Sequence, residues 1–166
     1  MKRTIGIEQR STLFLRLAVS VIGLGVVALC IFLLPLIWGS AYIEYPRYGY
    51  AVRVTVGAMY LAAIPFYIGI YKGWRILDAI DKGRAFSMES VKALKVIAYC
   101  AGLISLIYIV IAPFFYIWAQ GDDAPGLCMI DMFFVGMSAI IGVAMALLAR
   151  LLSAAVIIKS ENDLTV

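Results

Sequence analysis

Histidine is missing from the sequence altogether, and cysteine is limited to Cys30, Cys100 and Cys128, with no CxxC spacing. Zinc centres draw on clustered Cys and His, so these absences exclude one, and no metal or cofactor is expected. The thiols are read as small apolar residues in or beside apolar blocks, in preference to a Cys30–Cys128 disulfide. The sequence also lacks H-E-x-x-H, G-x-S-x-G and Walker patterns, and it places no carboxylate pair at the middle of an apolar run. No enzyme is expected. Charge is scarce too, at 14% of 166 residues where soluble domains carry about 25%.

Apolar residues fill the space, at 64% of the chain, and a soluble core of that proportion would have no polar surface left. They fall into four blocks of membrane-spanning length, roughly 17 to 25 residues each. The expectation is an all-α integral membrane bundle of four transmembrane helices, a single domain over 1–166. Its helices lie at about 12–38, 51–74 continuing to about 82, 88–118 and 124–160. The first block resembles a signal peptide, but its apolar stretch from Leu17 to Trp38 exceeds the roughly 7 to 15 residues of an h-region, so cleavage is not expected.

Orientation follows from the basic residues in short loops. One side holds Lys2, Arg3, Arg10, Arg16, Lys72, Arg75, Lys82, Arg84, Lys92, Lys95, Arg150 and Lys159, while the other holds Arg47 and Arg53. That bias predicts both termini and the 2–3 connection in the cytoplasm. It also turns the net charge of +4 into a topology signal rather than a sign of nucleic-acid binding. On the outer side, Tyr42, Tyr45, Tyr48 and Tyr50 suit an interfacial belt.

The cytoplasmic connection reads as a helical elbow. Arg75 with Asp78, and Asp78 with Lys82, have the i,i+3 and i,i+4 spacing of helix ion pairs. Gly83 offers a left-handed stop, and Ser87 an N-cap with Glu89 in the first turn. Asp122 or Asp123 is expected to cap the fourth helix. Gly69 with Gly73, and Ser138 with Gly142 and Ala146, form small-residue stripes suited to helix packing. Past the bilayer the fourth helix continues as a cytoplasmic extension that should stop near Ser160, ahead of the polar tip "ENDLTV".

Two constellations are the candidate sites. A cytoplasmic docking surface would combine Asp78, Asp81, Lys82, Gly83, Phe86, Ser87, Lys92 and Lys95 of the elbow with Glu161, Asn162, Asp163 and Leu164 of the tail. The same segments have an alternative fate, in which they pack on each other, Glu161 and Asp163 against Lys92 and Lys95. Inside the membrane, Arg53 and Asp131 are the ionisable residues, both within about two turns of the outer helix ends, read as a structural pair across the bundle or as groups snorkelling to the wet interface, in preference to the lining of a proton or ion path.

The stretches "LDAIDKGRAFSMESVKALKVI" and "IKSENDLTV", set in a four-helix plan, resemble the bacterial domain-of-unknown-function 2975 family over nearly the whole chain. The resemblance implies a multi-pass protein of the bacterial cytoplasmic membrane that senses for or antagonises a small helix-turn-helix regulator, since family genes often neighbour such regulators. It supplies no catalytic residues. The expected partners are the lipid bilayer, such a regulator and further copies of the chain, with no direct nucleic-acid contact. The alternative function is a small oligomeric transporter or channel.

Overall fold

The computed structural model describes the backbone from Lys2 to Asp163 and side chains from Thr12 to Glu161. Helix α1 (Lys2–Ala28) passes through a wide π turn (Leu29–Leu33) into α2 (Leu34–Glu44), so that together they form one rod. Helices α3 (Gly49–Asp81), α4 (Met88–Gly121) and α5 (Gly126–Asp163) follow, and no strand occurs among the described residues. Four rods are long and apolar enough to cross a bilayer: Thr12–Glu44, Gly49–Asp81, Met88–Gly121 and Gly126–Glu161.

Several boundaries differ from expectation for physical reasons. The first helix runs on through Tyr42 and Ile43 to Glu44, leaving only residues 45–48 before α3, and inner and outer name the two bundle ends by the orientation expected from the basic residues. The π turn has a cause in Pro35, whose ring would clash with the carbonyl four residues back in a regular helix. The fourth helix extends to Asp163 instead of stopping near Ser160. With 38 residues, α5 is about 57 Å long and outreaches a hydrocarbon core of about 30 Å.

Packing follows chain order. Helix α4 lies between α3 and α5, while the α1–α2 rod packs on α3. The central rods are therefore the best covered, with 22% of the apolar window buried in each of α3 and α4, against 11% for α1–α2 and 6% for α5. The core cluster is Ala62 of α3 with Tyr108, Ile111 and Phe115 of α4, and Tyr108 stacks on Phe134 of α5 at 5.1 Å. On α5, Ser138, Gly142 and Ala149 face inward, and a Cβ on Gly142 would meet the Ala98 carbonyl at 3.4 Å. The buried stripe thus bends away from Ala146, which is exposed. Gly69 and Gly73 meet nothing within 4 Å, so within the chain that step makes no close helix contact of the kind its spacing suggests.

Candidate functional site

The elbow is built by the local signals anticipated for it. At the end of α3, Gly83 takes φ +66°, its N–H bonds the Ile80 carbonyl at 2.9 Å and the Arg84 N–H bonds Ala79 at 2.8 Å, a Schellman closure. Two residues in extended or turn geometry follow before Ser87, whose hydroxyl accepts from the Ser90 N–H at 3.3 Å and opens α4. The ion pairs differ from the helix spacing. Asp78 binds Arg16 of α1, and Asp81 binds the same guanidinium at 2.9 Å, while Arg75 pairs with Glu89 of α4 at 3.4 Å. Cross-helix partners win because the Arg16 guanidinium serves two carboxylates a turn apart, where an i,i+4 pair on one helix would serve only one.

This inner clamp leaves the rest of the elbow open. Lys82, Lys92 and Lys95 are exposed, and so is Phe86 at 60%, a large aromatic at a polar end. Phe86 borders a shallow groove of about 470 Å³ whose other wall is Ala155, Ile158 and Lys159 of α5. Elbow and helix extension are thus adjacent. Glu161 lies at the exposed end of α5; the Asn162 and Asp163 side chains and Leu164 fall outside the described residues.

The two intramembrane candidates stand apart. Arg53, in the second turn of α3, lies 4.2 Å over the Tyr42 ring and 5.5 Å over Trp38, both on the α1–α2 rod. Asp131 is 3% exposed on α5, on the other side of α4, with Oδ1 buried and unpartnered. No ion pair joins them among the described residues. The reason is the packing order, which sets two helix interfaces between them.

Asp122 and Asp123 also act at a different helix than expected. Asp122 is the C-cap of α4, Asp123 takes φ 51°, and the Ala124 N–H bonds the Ala119 carbonyl at 2.9 Å, so the pair closes α4. Near this turn Tyr45 stacks edge-on to Trp118 at 6.3 Å. Burial first, and then the charge of Asp122, pushes the phenols of Tyr45 and Tyr48 above their ordinary range. The phenols of Tyr45 and Tyr48 therefore stay neutral at physiological pH.

A group that sequence reading missed is Tyr60. In the π turn the Leu34 N–H turns to the Leu29 carbonyl, and the next donor that could reach Cys30 would come from Pro35, which has none. The Tyr60 hydroxyl donates to that Cys30 carbonyl at 2.8 Å and fills the gap. Pro35 was the available signal. Two helix turns further along, Tyr67 donates to the Gly23 carbonyl at 2.9 Å, tying the same seam.

Comparison with known proteins agrees on a family. The model of the family described as "Protein of unknown function (DUF2975)" matches residues 36–166. The chain is 43% identical over 159 residues to "Uncharacterized membrane protein YoaS" of Bacillus subtilis (strain 168), covering 96% of this chain and 99% of that protein. No solved structure matches.

Proposed function

The chain belongs to the DUF2975 family, and from that premise we propose that this multi-pass membrane protein is a non-enzymatic interaction protein of the bacterial cytoplasmic membrane. In this reading both termini and the elbow face the cytoplasm, and the groove between Phe86 and the α5 extension receives a small helix-turn-helix regulator. The observation that supports it is the groove itself, exposed Phe86 facing Ala155, Ile158 and Lys159 beside the charged residues of the elbow. A compact apolar patch rimmed by polar groups is the usual form of a protein contact. The Arg16 clamp holds the elbow in place, so the surface is preorganised.

Co-purification of the regulator with the membrane-embedded protein tests the reading. Phe86→Ser combined with deletion of residues 159–166 should abolish recovery of the regulator; recovery equal to wild type rejects the proposal. A second reading, an oligomeric transporter or channel, draws on Asp131, a buried carboxyl without a hydrogen-bond partner on Oδ1 in a membrane helix. Proteoliposome flux of protons or small cations that is lost in Asp131→Asn would favour it over the first.

A further inference from the structure

We propose that Arg53 is an anion site for the phosphate of an anionic outer-leaflet phospholipid. Among the described residues three ion pairs occur, all at the inner end, and none involves Arg53. Its guanidinium instead lies over Tyr42 and Trp38. Ring contacts satisfy the face of that cation and leave its in-plane N–H donors unused, and its Nε is buried with no acceptor. A permanently charged fork lacking a carboxylate needs an anion supplied from outside, and a phosphate accepts from it in bidentate fashion.

Position selects a lipid as the source. Arg53 is the fifth residue of α3, about 6 Å along the helix from its outer start, which is headgroup depth. Trp38 is 42% exposed and Tyr42 is 48% exposed, so the cage opens sideways toward the bilayer. This site shares with the proposed function only the orientation of the bundle, so failure of regulator binding at the groove leaves it standing.

Native mass spectrometry of the full chain in a neutral detergent, titrated with phosphatidylglycerol, tests the assignment. Inner basic residues also take anionic lipid, so Lys82→Gln/Arg84→Gln is the background against which Arg53 is read. In that background Arg53→Gln should weaken one lipid-binding event about tenfold. Dioleoylglycerol, which has tails but no phosphate, should not compete, and soluble glycerol phosphate should compete only at far higher concentration than the lipid. Unchanged lipid binding in Arg53→Gln overturns the proposal, as does equal competition by dioleoylglycerol; equal competition by glycerol phosphate overturns the lipid source. If Arg53→Gln does not fold, Arg53→Lys carries the test, because lysine keeps the charge without the fork. Lipid affinity equal to wild type in that variant overturns bidentate phosphate binding.

Discussion

The two ends of the seam between the α1–α2 rod and α3 each set an arginine against a tryptophan. At the inner end Arg16 of α1 lies 5.9 Å over Trp74 of α3; at the outer end Arg53 of α3 lies 5.5 Å over Trp38 of α2. The first arginine has two carboxylates and the second has none. Close packing takes the place of charge at the outer end, where a Cβ on Gly49 would sit 2.7 Å from the Ala41 carbonyl. One helix pair is thus held by ion pairs at the Arg16 end and by close backbone approach at the Gly49 end.

The largest break in this contrast should come from Gly49→Ala. The clash is with backbone, which cannot rotate away as a side chain can, so the start of α3 must move off α2. A loss of about 2 to 3 kcal/mol is expected, in the overpacking range, read as a fall in thermal unfolding temperature in detergent. A variant as stable as wild type would show that the outer end is not closely packed. Arg16→Gln should cost less, about 1 kcal/mol, because Asp78 and Asp81 are 52% and 34% exposed and water screens what they lose. Its signature is salt dependence. Raising ionic strength should destabilise the wild type and have little effect on the variant, whereas Gly49→Ala should respond to salt as wild type does.

How far the sequence discloses these features follows from the range of each signal. The four spans, Gly83 and Ser87 are legible because block hydropathy, a left-handed stop and an N-cap act within a few residues. Asp78 shows the limit of local spacing: Arg75 and Lys82 stand at helix-pair distances along the chain, yet Arg16 reaches it from 62 residues away. That partner is set by the antiparallel register of α1 and α3, which spacing on one helix does not encode. Arg53 and Asp131 were comparable in sequence, each apolar-flanked and near an outer helix end. The order in which helices pack assigned one to aromatic rings and the other to α4, where Asp131 lies near Tyr108. The groove at the elbow is legible only as two polar segments; their adjacency through Phe86 and Ile158 is a property of the fold.

Between the two ends, Tyr60 joins the rods where Pro35 leaves the Cys30 carbonyl without a backbone donor. Tyr60→Phe keeps the ring and removes the donor, exposing that carbonyl to lipid. The expected loss is about 0.6 kcal/mol, the average for polar contacts inside membranes, and it should not vary with salt. Restoring the backbone donor with Pro35→Ala should make Tyr60→Phe close to neutral, because a regular helix closes on itself. An undiminished Tyr60→Phe loss in the Pro35→Ala background would disconnect the hydroxyl from the π turn.

The smallest expected effect lies in the two helix closures, which use one geometry with different residues. At the inner end Gly83 takes φ +66°, and at the outer end Asp123 takes φ 51°, each followed by an N–H that reaches back to the third-last residue of the helix, Ala79 or Ala119. A side chain in the left-handed region meets its own carbonyl, a strain that glycine avoids and that aspartate bears better than most residues. Asp123→Gly should therefore stabilise the outer turn by roughly 0.5 kcal/mol, less than the full left-handed penalty, because glycine also frees the unfolded chain. Gly83→Asp, the reciprocal change, should destabilise the inner turn by a similar amount. Opposite signs for the two variants in thermal unfolding would show that backbone conformation governs both closures; a loss in both would mean that the Asp123 carboxylate stabilises the outer turn in its own right.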